Sequence, residues 1–261
     1  MKVSESTSVV QFDFGDAPDE GLGTGPLDYE TLLIDNGARH VIVPGFHLGV
    51  GIDGDGDGQP TLGADGDDND TQGDDEDGIV ASSLLVPGQP FWVDVLVSTA
   101  GQDLAYLDGW IDLNADGDWD DAGEHLINHV TVTDGANQLT GTLPASAEVG
   151  QTYVRLRLTG NPAPVLPTGL ENDGEVEDYL VAVVDPKWMQ EPNLTPTGSD
   201  IFVDLGDHGD EQVVADDFEC TSPGLLTDIH FWGSWLADFG ELAGVYLTVC
   251  GDDPVGPGGM D

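Results

Sequence analysis

Basic side chains are almost absent from this chain. Five Lys and Arg stand against 51 Asp and Glu in 261 residues, which gives a formal net charge of -46 at pH 7. No Lys or Arg occurs between Arg39 and Arg155. A nucleic-acid partner is excluded, because binding one needs cationic side chains to displace phosphate counterions. Attraction to an anionic membrane surface is excluded on the same ground. No apolar run reaches about 18 residues, so membrane insertion is not expected. The N-terminal MKVSESTSVV lacks the apolar core of a complete signal peptide. The C-terminal GDDPVGPGGMD is a Gly/Pro loop, and the chain is expected to be a fragment of something longer. Cysteine is scarce too, with only Cys220 and Cys250. A bridge between them would close a loop of about 30 residues and contribute roughly 3–4 kcal/mol. Two separate buried thiols are the other reading.

Apolar side chains are plentiful. Hydrophobic residues make up 39%, with Trp 6, Phe 8 and Tyr 5, more aromatics than a disordered acidic chain carries. The acids are 38 Asp and 13 Glu. Asp favours turns where Glu favours helices, and Gly 37 with Pro 16 adds to the turn signal. Period-two alternation recurs at short intervals. Phe91, Val93, Val95 and Val97 share one face, as do Leu107, Gly109, Ile111 and Leu113. Leu126, Asn128, Val130 and Val132 alternate with Ile127, His129 and Thr131, and Val154, Leu156 and Leu158 with Tyr153, Arg155 and Arg157. Val176, Tyr179 and Val181 begin a last strand. The pattern predicts an all-β sandwich with long acidic Gly-rich loops. Residues 1–10 read as a flexible segment, 11–184 as the sandwich and 185–200 as a Pro-rich linker. Residues 201–261 read as a partial second β domain, sandwich or jelly-roll-like.

The strongest chemical signal is Asp112-Leu113-Asn114-Ala115-Asp116-Gly117-Asp118-Trp119-Asp120, which matches the first half of an EF-hand calcium loop. Alternate residues of a tight loop turn oxygens inward, and Gly at the sixth position permits the sharp turn. Asp112, Asn114 and Asp116 are expected to ligate by side chain, Asp118 by its carbonyl, and Asp120 directly or through water. The twelfth position is Gly123 rather than Glu, so Glu124 or a more remote carboxylate would complete the shell. A plain Asn/Asp/Gly hairpin loop would look partly similar. Oxygen-only ligands point to Ca2+ rather than zinc.

A second candidate is Asp53-Gly54-Asp55-Gly56-Asp57-Gly58, within a stretch where 11 of 25 residues from Asp53 to Asp77 are acidic. A solvated loop is the competing reading for it. Asp74-Asp75-Glu76-Asp77 forms a third cluster. Glu175 and Glu177 share one strand face, so either could close a metal shell. His125 and His129 have zinc-helix spacing, but on a strand they would lie roughly 13 Å apart. They are expected to be ordinary strand residues.

Five ordered motifs carry a resemblance: DFGDAPD (13–19), LLIDNGARHVI (32–42), GDDEDGI (73–79), GWIDLNADGDWDDAGE (109–124) and DGEVEDY (173–179). Together they resemble the GEVED domain over roughly residues 11–184. The resemblance implies a β-sandwich module of large secreted or cell-surface bacterial proteins, beside adhesion or sorting domains, with an acidic calcium loop and no catalytic activity. Residues 188–235 look like the start of a second β domain that often follows it. The expected function is non-enzymatic: a calcium-stabilised structural or adhesion module, extracellular or on the cell surface. Calcium ions are its partners, with surface glycans or other cell-surface proteins as further candidates. A calcium-dependent carbohydrate-binding module is the alternative, for which Trp92, Trp110, Trp119, Trp188, Trp232 and Trp235 are available. A halophilic, solvating acidic surface would also account for the charge.

Overall fold

The computed structural model describes residues 10–66, 76–102 and 104–185. The chain divides into two compact units, Met1–Pro186 and Lys187–Asp261, and the described residues belong to the first. The Pro-rich linker, the second β domain, Cys220 and Cys250, and Trp188, Trp232 and Trp235 lie outside the described residues.

The described residues form an all-β sandwich with one added layer. The strands are β1 (Phe12–Phe14), β2 (Arg39–Val41), β3 (Phe46–Leu48), β4 (Ile79–Ser82), β5 (Pro90–Thr99) and β6 (Ala105–Ile111). They continue with β7 (His125–Val132), β8 (Gly135–Thr142), β9 (Gly150–Thr159), β10 (Leu170–Glu171) and β11 (Glu175–Val183). The main sheet runs β11-β9-β6-β7 with antiparallel pairing throughout. The facing sheet is built on β5, flanked by β8 on one edge and by β3 and β4 on the other. Val93, Val95 and Val97 of β5 meet Leu107, Leu156 and Leu158 of the main sheet between the two, as the alternation predicts.

The added layer is less legible. A small sheet, β1-β2-β10, and the segments around it cover the outer face of the main sheet. Strands β6, β9 and the first half of β11 are therefore buried on both faces. Arg155 and Arg157, which alternation alone would send to solvent, are fully buried. A second apolar cluster, with Tyr29, Trp110, Trp119 and Tyr153, packs under the same layer.

Strand β7 departs from simple alternation. Leu107 pairs with Val130 and Gly109 with Ile127, so β7 carries an extra residue, and a second irregularity follows before Trp110 pairs with His125. His129 sits at the first bulge with φ 52°. The bulge changes the parity of the strand. Ile127 therefore joins Val132 in the core, against the predicted alternation of the two; Val130, paired with Leu107, keeps the face of Val132 although it is partly exposed. In β11, Val176 likewise faces away from Tyr179 and Val181, towards the added layer.

Candidate metal centre

The 112–124 loop leaves the end of β6 and returns at the start of β7. It is curled by its own side chains. Asn114 N–H donates to Asp112 Oδ1 (3.1 Å), Asp116 N–H to Asn114 Oδ1 (3.3 Å), and Asp118 N–H to Asp116 Oδ1 (3.4 Å). Asp120 N–H continues the series to Asp118 Oδ1 at 3.0 Å. Each acidic or amide side chain thus accepts from the residue two ahead, which curls residues 112–120 into successive turns. Gly117 N–H closes the curl on Asp112 Oδ2 at 2.9 Å. Gly117 has φ 92°, and a Cβ there would run into the carbonyl oxygen of Gly25. Glycine is needed for both reasons.

Glu124 lies where the sequence places the end of the loop. Its Oε1 accepts Leu113 N–H (2.9 Å) and its Oε2 accepts Asp121 N–H (3.0 Å), so one carboxylate ties both ends together. Asp112 and Glu124 are fully buried, and Asp116 and Asp120 lie toward solvent. Burial pushes the Glu124 carboxyl up to about 7, with Asp112 and Asp121 adding to the rise. Burial raises Asp118 as well. Asp121, not singled out from the sequence, joins the cluster through Asn114, whose Nδ2 donates to Asp121 Oδ2 (2.9 Å) and Asp116 Oδ2 (3.0 Å).

The donor set suits a hard divalent cation: every available group is an oxygen, and the two buried carboxylates are stabilised only by neutral donors. The oxygens are engaged with loop N–H groups and the Asn114 amide. Among the described residues no group of three or more His, Cys, Asp and Glu side chains is already arranged around a common cation position.

The other predicted ligands are elsewhere. Asp55 N–H pairs with Phe12 O (2.8 Å) in a bridge, and Asp55 Oδ1 accepts Gln59 Nε2. Asp57 Oδ1 accepts Leu33 N–H (2.6 Å). Asp53, Asp55 and Asp57 therefore do not repeat the ladder of the 112–124 loop, because β1 takes the N–H that the ladder would use. Glu175 is at the far end of the main sheet. It aligns with Leu158 and Leu107, four residues along from the Tyr179–Val154–Ile111 row beside the loop. Four residues span about 13 Å, so Glu175 does not close that shell. Its carboxylate instead accepts Leu48 N–H from the facing sheet.

The acidic motif 174–178 proves to be a set of buried brackets. Glu177 accepts Gly78 N–H (2.9 Å) and the Tyr179 hydroxyl (2.7 Å). On the other face Asp178 receives Arg155 Nε and Nη2, both at 2.7 Å, and Ala17 N–H at 2.8 Å. Val176 N–H donates to Asp13. Arg157 donates to His40 Nε2 and to the carbonyls of Leu166, Thr168, Arg39 and Gly169. His40, held far below its usual range by burial and then by Arg157, keeps a neutral ring with its other nitrogen on Asp173 O (2.6 Å).

His125 and His129 are not ordinary strand residues. The bulge turns both onto Asp108, which is fully buried, at 2.8 and 2.9 Å. His125 stacks on Trp110 and His129 on Tyr106.

Residues 106–182 match the family model of the GEVED domain, and residues 186–260 match a domain of unknown function (DUF7901). No curated protein and no solved structure matches the chain. The GEVED match begins in β6 and ends in β11, so it holds the 112–124 loop and the 174–178 motif but not the motifs of residues 13–19 and 32–42, which belong to the covering layer, nor Ile79, which begins β4. Residues 106–182 are thus similar to the GEVED domain, and the match to a second domain follows them.

Proposed function

We propose that this protein is a non-enzymatic, calcium-stabilised structural or adhesion module of a secreted or cell-surface protein, with the 112–124 loop as its cation site. One observation carries the reading: a continuous side-chain ladder through Asp112, Asn114, Asp116 and Asp118 curls a loop whose ends are tied by the buried Glu124. Burying carboxylates against neutral donors alone costs free energy that a dication would offset. A millimolar-range extracellular calcium level would suffice for such a loop.

The carbohydrate alternative has less support. Of the described tryptophans, Trp110 and Trp119 are buried and Trp92 is half-buried. They offer no exposed pair to a sugar ring.

The test is calorimetric titration of the 261-residue chain with calcium, repeated with Asp112→Ala and Asp116→Ala. Binding that both substitutions weaken supports the reading. A flat titration of the unsubstituted chain, with identical melting curves in calcium and EDTA, overturns it.

A further inference from the structure

We propose that Tyr29 is a positioning residue of the cation loop, and that filling the loop and seating the covering layer are one coupled event. The inference rests on the calcium reading above and extends it to regulation: residues 16–35 would be held in place by the ion, though they supply no ligand.

The contact is direct. Tyr29 belongs to the covering layer, and its hydroxyl donates to Asp112 Oδ2 at 2.7 Å. That oxygen also receives Gly117 N–H, so Tyr29 and the loop closure share one acceptor. The Tyr29 hydroxyl is pushed up by burial and by Asp112, and stays a donor. Its ring stacks on Trp119 of the loop, with centroids 4.5 Å apart. The Arg155 guanidinium also lies over the Trp119 ring, 4.2 Å from its centroid. Arg155 in turn holds Glu30 O (2.9 Å) and Thr31 Oγ1 (3.0 Å). Gly117 meets the Gly25 carbonyl with no room for a side chain. The loop and residues 25–31 are therefore in contact through a hydroxyl, a ring stack and a backbone approach.

The coupling follows from linkage. If the layer orients Asp112, an undocked layer leaves the first ligand free to rotate and weakens cation binding. By reciprocity, a bound cation must favour the docked layer by the same factor. Partners that orient a metal ligand in this way typically change affinity 10–100-fold when removed.

The experiment uses the full chain and three variants. Tyr29→Phe keeps the ring and removes the hydroxyl. Tyr153→Phe is the matched control: its hydroxyl ties Leu62 O in the same layer (2.7 Å) and its ring packs edge-on against Tyr29, while its link to Asp112 is a backbone bond (Asp112 N–H to Tyr153 O, 3.2 Å) that the substitution keeps. Asp112→Ala removes the ligand. Calcium affinity is measured by calorimetry, amide exchange over residues 25–32 with calcium and with EDTA, and melting in EDTA. We expect calcium to slow exchange at 25–32 in the unsubstituted chain about 10-fold or more. Tyr29→Phe should weaken calcium binding by about 10-fold and lose most of that slowing. Tyr153→Phe should keep its calcium affinity. Calcium binding with no change in exchange at 25–32, or equal affinity in Tyr29→Phe, overturns the coupling and leaves the calcium reading standing. An equal loss in both Tyr→Phe variants, with equal loss of melting temperature in EDTA, assigns Tyr29 a general packing role and also overturns it. No calcium binding by the unsubstituted chain defeats the calcium reading itself.

Discussion

Gly174 shows how much can hang on one residue without a side chain. Its φ is 93°, and a Cβ would strike the Leu158 carbonyl oxygen and press on the His40 ring. Gly174→Ala should cost at least about 1–2 kcal/mol for the left-handed backbone alone, with the collision added; the fall in urea midpoint would measure it. His40 makes a pH prediction. Its pKa in the fold lies below the ordinary value of 6.5, so the unfolded chain takes up the proton first. Stability from this group is complete above about pH 6.5 and falls as pH drops below it, by at most about 1.4 kcal/mol per unit. His40→Gln can still donate to Asp173 O and accept from Arg157. Relative to the unsubstituted chain, it should become more stable on going from pH 7 to pH 5. Parallel melting-temperature curves for the two proteins over that range would refute the assignment. The difference between them is the useful quantity, because acid also relieves the general repulsion among 51 acids.

Among elements, β9 and β11 depend most on one another. The bidentate Arg155–Asp178 pair is fully buried, and it joins the main sheet to the covering layer through Ala17, Glu30 and Thr31. Removing one partner would strand the other charge. Arg155→Met should destabilise by roughly 3–5 kcal/mol, and Arg155→Lys should recover only part of it, since a single ammonium cannot reproduce the planar fork. Chemical denaturation of both variants tests this, and a lysine variant as stable as the parent would contradict it. Strand β7 shows why pattern reading stops short. Its composition predicts a strand, but a bulge at His129 decides which side chains enter the core and which reach Asp108. That choice depends on a partner strand, so the alternation within β7 alone cannot express it.

For the whole molecule, salt and calcium should be separable. Monovalent salt screens a body with net charge -46 and should raise the melting temperature of the parent and of Asp112→Ala alike. Calcium at about ten to a hundred times its dissociation constant should add about 1.4–2.7 kcal/mol. For a domain of this size that is about 3–10 °C. Differential scanning calorimetry at fixed ionic strength should show that increment in the parent and not in Asp112→Ala. An equal rise in both would mean that calcium acts only as a screening ion.

Much of the architecture was written in local pattern. Alternation in 91–97 and 154–158 specified the sandwich core, because inward and outward faces differ in hydration whatever lies beyond. The D-x-N-x-D-G spacing specified the 112–124 curl, because side chains two residues apart in a tight loop meet the same N–H groups. The -46 charge was legible as a number, but not its division. The structure adds another class of acids to the proposed ligands and the solvating ones: Asp13, Asp108, Asp178, Glu175 and Glu177 are buried, and each is spent on a backbone N–H, a histidine or an arginine. Only the tertiary structure could sort them. Ala17, which donates to Asp178, and Val176, which donates to Asp13, lie 161 and 163 residues from them in the chain, so these contacts are decided by where the covering layer docks. A carboxylate in sequence carries no mark of whether water or a distant N–H will satisfy it.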